Sequence, residues 1–174
     1  CAITTKHEPM TEVLFYHLTE SKLEEALPAL LEKSVERGWR VVVQTREEGR
    51  RDSLDAHLWT YREDSFLPHG TDGTEHAQAQ PVLLTATPDN ANTGEFDWIE
   101  GGLWQAEQYA WERILVDGAE PPPLDPYERV VFMFDGHDAI QLDDARMQWK
   151  RLKGEGHALT YWQQSPEGRW VKKA

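Results

Sequence analysis

Val13-Leu14-Phe15-Tyr16-His17-Leu18, then Ser21-Lys22-Leu23-Glu24, then Trp39-Arg40-Val41-Val42-Val43-Gln44 follow one another within the first quarter of the chain. The first run is short, apolar and aromatic-rich, the composition of a buried strand. Ser21 and Glu24 have the spacing of a capping box, in which each side chain satisfies the other's orphan backbone donor. The helix opened there places Leu23, Leu27, Leu30, Leu31 and Val35 on one face at steps of three and four, and Gly38 stops it. The second apolar run is a strand again. Strand, helix and strand in so few residues predict a βαβ unit, and therefore a parallel sheet with a right-handed crossover.

The same alternation continues outward. A second helix is expected from near Thr45, with Glu48 as capping partner and Leu54, Leu58 and Trp59 turned inward. Thr71 to Gln80 is too polar for core structure and reads as a loop. Pro81 to Ala86, Ile114 to Gly118 and Arg129 to Gly136 read as further buried strands, the last two ending in Asp-Gly. The segment 95–113, with Trp98, Trp104 and Trp111, fits a short amphipathic helix or a hairpin, and its periodicity does not choose. Asp138 can cap a helix running to about Gly154, with Leu142, Met147 or Ala145, and Leu152 inward. Arg146, Trp149, Lys150 and Lys153 then share a stripe at spacings of three and four. A strand from His157 to Gln163 follows, and a turn at Ser165-Pro166-Glu167-Gly168 leads to an added edge strand at Arg169 to Lys173. The fold class expected is α/β, a three-layer Rossmann-like sandwich with a mostly parallel sheet. Residues 1–10 read as a disordered extension or a remnant of expression, and 11–174 as one domain with an inserted segment at about 95–113.

The chain has 174 residues, 31 acidic and 18 basic, for a net charge of −13. That length suits one domain, which buries about two thirds of the surface its unfolded chain exposes. No run approaches the roughly 20 apolar residues that a bilayer requires, and the first residues lack a basic start followed by an apolar stretch. A cytoplasmic protein without membrane association is expected. The single cysteine, Cys1, allows no internal disulfide and no cysteine-ligated zinc. Charge is distributed unevenly: from Ala145 to Ala174 seven basic residues face two acidic ones, a net of +5, leaving −18 on the remainder. Trp149, Tyr161, Trp162 and Trp170 lie in that basic end, which turns it from a solvated surface into a candidate binding face.

Catalytic signatures are scarce. Asp117 and Asp135 end apolar strands as a magnesium-holding aspartate would, but no glycine-rich loop ending in Gly-Lys-Ser or Gly-Lys-Thr accompanies them. No Gly-x-Gly-x-x-Gly follows the first strand, and no serine sits in a Gly-x-Ser-x-Gly elbow. Asp135-Gly136-His137-Asp138 lacks further ligands for a metal. The residues therefore favour a binding module without metal or cofactor over an enzyme. Two other readings stay open: a nucleotide-dependent enzyme of the same fold, and a direct single-stranded-DNA binder using the interleaved Trp and Lys residues.

Phe15-Tyr16, Leu58-Trp59, Ser65-Phe66-Leu67-Pro68-His69, Leu115-Val116-Asp117-Gly118-Ala119-Glu120, Phe134-Asp135-Gly136 and Thr160-Tyr161-Trp162-Gln163-Gln164 occur in this order. Together they resemble the chi subunit family of bacterial DNA polymerase III, a clamp-loader accessory protein, over roughly Thr11 to Ala174. The resemblance implies a non-catalytic adaptor that binds the acidic C-terminal tail of single-stranded-DNA-binding protein and links it to the replisome, with psi as a second partner in many members. By matching position, Arg146, Trp149 and Lys150 would bind the tail with Trp59 nearby, while Phe66 and Pro68 would belong to the face for psi or another partner. Burial preference alone makes Trp59 and Phe66 ordinary core or loop anchors. Segment 95–113 is longer than the family's usual connection. The acidic body makes direct nucleic-acid contact weak, since phosphate binding rests on Lys and Arg.

Overall fold

A computed structural model describes residues 11–61, 69–71, 81–86, 111–122, 124 and 127–174. Along the chain run β1 (Glu12–Leu18), α1 (Leu23–Glu36), β2 (Arg40–Gln44), α2 (Glu48–Thr60), β3 (His69–Thr71), β4 (Val82–Thr85), β5 (Trp111–Val116), β6 (Arg129–Asp135), α3 (Ala139–Gly154), β7 (Ala158–Gln164) and β8 (Trp170–Lys172). The strands form one sheet in the order β3-β4-β2-β5-β6-β1-β7-β8. Every pairing is parallel except β7 with β8. Residues 1–10, the Phe66-Pro68 motif, positions 72–80, Trp98 and Trp104 lie outside the described residues, as does most of segment 95–113.

Alternation along β1 sorts the core into two layers. Leu14 and Leu18 pack with Leu23, Leu27 and Leu31 of α1 and Leu54 and Leu58 of α2. Val13 and Phe15 pack on the other face with Ala145 and Leu152 of α3. Helices on both faces of a mostly parallel sheet make the three-layer α/β sandwich that the pattern predicts. Its β1-α1-β2 unit does not place those strands side by side: β6 and β5 lie between them. A local β-α-β pattern specifies parallel direction, whereas adjacency depends on strands that arrive later in the chain.

Several local expectations are corrected by distant partners. The Ser21–Glu24 capping box does not form; Lys22 is the N-cap and makes no side-chain cap bond. Instead the Gln164 side-chain oxygen accepts from the backbone N–H of Thr19, Glu20 and Ser21, at 3.1, 2.9 and 3.0 Å. Glu24 is thereby free to pair with Arg50. Pro28 sits inside α1, where it removes the N–H that would bond the Glu24 carbonyl. The His57 ring nitrogen of α2 donates to that carbonyl at 2.7 Å and fills the gap. Helix α2 starts at Glu48, because the Thr45 hydroxyl bonds the Glu47 and Thr85 carbonyls rather than capping a helix. Thr71, expected to open a loop running to Gln80, instead ends a short edge strand, β3.

The largest correction concerns β5. It begins at Trp111, so residues 111–113 are neither helix nor hairpin, and it carries Glu112 and Arg113 wholly buried. Glu112 accepts from the Ser34 hydroxyl at 2.7 Å and from Arg129 at 3.3 Å. Arg113 donates to the Gln44 side chain at 3.0 and 2.8 Å and to the Tyr127 hydroxyl at 2.7 Å. Buried charge persists only with such partners, and here each comes from a different element.

Candidate functional site

Helix α3 forms as its sequence directs. The Asp138 carboxylate accepts from the backbone N–H of Ile140 and Gln141 at 2.9 and 3.2 Å, and Arg151 and Lys153 in the last turn complement the helix dipole. Of the residues expected inward, Ala145 and Leu152 are buried and Leu142 packs at the core margin. Met147, the alternative to Ala145, is 61% exposed.

Between α3 and β7 lies a groove of about 370 Å³, with Leu142, Ala145, Trp149 and Tyr161 as apolar walls and Arg146 and Lys150 among its lining. In-register parallel pairing builds its base: Phe15 sits opposite Phe132 on one side and Tyr161 on the other. The three rings stack in a row with nearly parallel planes, their centroids 4.8 and 6.4 Å apart. Trp149 descends edge-on onto this row, 5.3 Å from Phe15 and 5.7 Å from Tyr161. The Trp149 and Tyr161 rings are thus held by neighbours on several sides before any ligand arrives.

Tyr161 is also tied by its hydroxyl, 2.7 Å from Nδ1 of His17. Burial pushes the His17 pKa down, assisted by the charges of His137 and Arg146 against the opposing pull of Asp135. The shift favours the neutral imidazole at pH 7, and Nδ1 shares a hydrogen bond with the Tyr161 hydroxyl. Burial pushes the Tyr161 pKa up. Gly136 completes the support, since a methyl group there would overlap the His17 ring.

The cations are accessible. Arg146 is 67% exposed and meets Asp143 only at 3.6 Å; Lys150 is exposed and has no ion pair among the described residues. An apolar slot beside two available cations suits a ligand carrying both a hydrophobic group and a carboxylate. Arg146, Trp149 and Lys150 are thus brought together as the stripe spacing predicts.

Trp59 is not brought to them. It projects from α2 on the opposite face of the sheet, 53% exposed, with its ring 4.6 Å from that of His69 on β3. Six strand spacings separate β3 from β7 in the sheet order, about 29 Å at the usual interstrand distance. The expected proximity is therefore corrected, and so is the expected inward orientation. Phe66 and Pro68 lie outside the described residues. Tyr161 and His17 were missed as site residues, although strict alternation through Leu159 and Tyr161 in β7, and Phe15 and His17 in β1, places them on the α3 face.

A nucleotide in this fold would sit at the carboxyl ends of the strands. The cavity there, about 430 Å³, sets four carboxylates, Glu20, Glu24, Asp117 and Asp135, against Lys22 and Arg50. Its Arg50 is already held by Glu24 and Asp117, at 2.5 and 2.7 Å, so the local field repels phosphate. Asp117 itself occupies a left-handed turn with φ 55° and serves as an anchor for α2. Among the described residues no group of three His, Cys, Asp or Glu side chains is placed to hold a metal ion, and no helix is long and apolar enough to cross a membrane.

Residues 10–160 match the family described as DNA polymerase III chi subunit, HolC. A Pseudomonas aeruginosa protein named DNA polymerase III subunit chi is 35% identical over 143 residues, covering 79% of this chain and 98% of its own length. A Rickettsia prowazekii protein named probable DNA polymerase III subunit chi is 21% identical over 170 residues, covering 95% of this chain and 93% of that relative.

Proposed function

Because the chain belongs to the DNA polymerase III chi subunit family, we propose that it is a non-catalytic, cytoplasmic adaptor whose α3–β7 groove docks the acidic C-terminal tail of single-stranded-DNA-binding protein and ties it to the clamp loader. The observation that carries this reading is the groove itself: a preformed aromatic slot with Arg146 and Lys150 beside it. A tail of that kind ends in acidic residues, an aromatic ring and a free carboxylate. The guanidinium of Arg146 can fork onto the carboxylate, Lys150 lies one helical turn on, and the ring enters between Trp149 and Tyr161. Arg146 and Lys150 on a chain of net charge −13 steer an acidic peptide to this groove while the acidic body keeps naked DNA away.

Titration calorimetry with a peptide of the host's single-stranded-DNA-binding protein tail tests the reading. Heat of binding that disappears when the terminal aromatic residue is removed supports it. Binding unaffected by that truncation rejects the slot as the docking site. Trp59, Phe66 and Pro68 would belong to a separate surface, for psi or another clamp-loader partner.

A further inference from the structure

The α1 side of the sheet carries a second cleft, about 190 Å³, where α1 passes near β1, β6 and the β8 edge. Tyr16, Leu30 and Trp170 supply apolar lining; Lys33, Arg37 and Arg129 supply charge. Two alanines, Ala26 and Ala29, present only methyl groups to it, so the helix leaves the space unfilled. Tyr16 and Trp170 meet edge to face at 4.9 Å and 80°.

Lys33 and Arg37 stand one helical turn apart, both exposed, and neither has an ion pair among the described residues. Arg129 is anchored, with its guanidinium 4.4 Å over the Trp39 ring, 3.3 Å from Glu112 and 3.4 Å from Glu12, so its charge is already paired. None of the described residues lining the cleft is acidic, in a chain with 31 acidic side chains. The C-terminal end of α1 favours cations through the helix dipole, which accounts for Lys33 and Arg37. It does not account for the aromatic walls.

We infer that this cleft is a second peptide-docking site, for an acidic segment of a protein partner that inserts one aromatic or branched side chain beside Tyr16 and Trp170 and sets carboxylates against Lys33 and Arg37. The cavity has room for one large side chain, too little for a nucleotide or a packed helix, and Lys33 and Arg37, the two exposed cations beside it, select an acidic occupant. The sheet separates it from the Arg146 groove, so the two sites can be filled at once, as an adaptor requires. The inference stands independently of the tail reading.

The test uses the full chain carrying Arg146→Ala, which disables the other groove, titrated with the capped peptide acetyl-Asp-Asp-Phe-Asp-amide while amide shifts are followed by NMR. Binding with Kd of about 0.1–1 mM is expected, with shifts at Tyr16, Leu30, Lys33, Arg37 and Trp170. The double variant Lys33→Glu/Arg37→Glu, both exposed positions that leave the core intact, should weaken binding by about tenfold or more. Replacing the peptide's Phe by Ala should weaken it similarly. Absence of shifts at those residues, or affinity indifferent to both changes, overturns the inference. Shifts confined to Trp149 and Tyr161 in the wild-type chain, and lost with Arg146→Ala, would overturn it while leaving the tail reading standing.

Discussion

Arg146→Ala should separate binding from folding. Within the protein the guanidinium has little to lose: it is 67% exposed, and its partner Asp143, 76% exposed, is 3.6 Å away. Exposed pairs of this kind contribute about 0.2–1 kcal/mol, so the midpoint of urea unfolding should barely move. Against a tail carboxylate the same group makes a forked, charge-assisted contact, with a contribution of about 1.5–3 kcal/mol. Its removal therefore weakens the tail peptide by about ten- to a hundredfold in Kd. Arg146→Lys keeps the charge without the fork and should fall between the two. Calorimetry gives the affinities, and an NMR titration of His17 gives an internal check. Arg146 helps hold the His17 pKa down, so that pKa should rise in the alanine variant. An unchanged Kd for Arg146→Ala, with the fold intact, would refute the argument that this cation captures the carboxylate.

Three further outcomes test the packing, two of them beneath the groove and one between α1 and α2. Gly136→Ala forces a methyl group into the His17 ring and to 2.9 Å from the Leu18 carbonyl oxygen. The backbone is pinned there by the Gly136 N–H bond to that same carbonyl, at 2.8 Å. Overpacking of this kind costs about 1–3 kcal/mol in urea unfolding and should weaken tail binding by displacing Tyr161; an unaltered midpoint would contradict the geometry. His57→Ala leaves the Glu24 carbonyl without its donor and should cost about 1 kcal/mol, less in a Pro28→Ala background where residue 28 regains its own N–H. Equal costs in both backgrounds would show that the ring does not substitute for the missing helix bond. His17 gives a pH signature. Its folded pKa lies below the ordinary 6.5, so the unfolded chain takes up the proton first. The stability it contributes is complete above about 6.5 and is lost as pH falls through the window beneath that value. The groups facing it are Tyr161, Phe134, Asp135, His137 and Arg146. His17→Gln should flatten the stability curve in that window, and a wild-type slope retained in the variant would assign the titration elsewhere.

Much of the molecule was legible in order along the chain. Strands β1, β2, β4, β6 and β7 fall within a residue of their apolar runs, and α3 begins and ends where Asp138 and Gly154 place it. The stripe of Arg146, Trp149 and Lys150 followed from helical spacing, because i, i+3 and i+4 neighbours are fixed by the helix alone. Three local signals misled. Ser21 and Glu24 had capping spacing, but Gln164, some 140 positions along the chain, took the Ser21 N–H that Glu24 would have satisfied. Glu112 and Arg113 fell in the segment read as a short amphipathic helix or a hairpin, whereas they lie buried in β5 with Ser34, Gln44, Tyr127 and Arg129 converging on them. Trp59 looked inward because its neighbour Leu58 is, yet the next residue on a helix points about 100° away.

Sequence by itself determined most of the strands and helices, which face of each is apolar, and that positive charge collects at one end of an acidic chain. These properties depend on bonds and side chains within a few residues of each other. Tertiary structure decided the strand order, and with it the distance between Trp59 and Arg146, the aromatic row beneath Trp149, and the partnership of His17 with Tyr161. Each of these joins residues far apart in the chain. The periods of 2 and 3.6 say which way a side chain points, but not which distant strand will lie beside it.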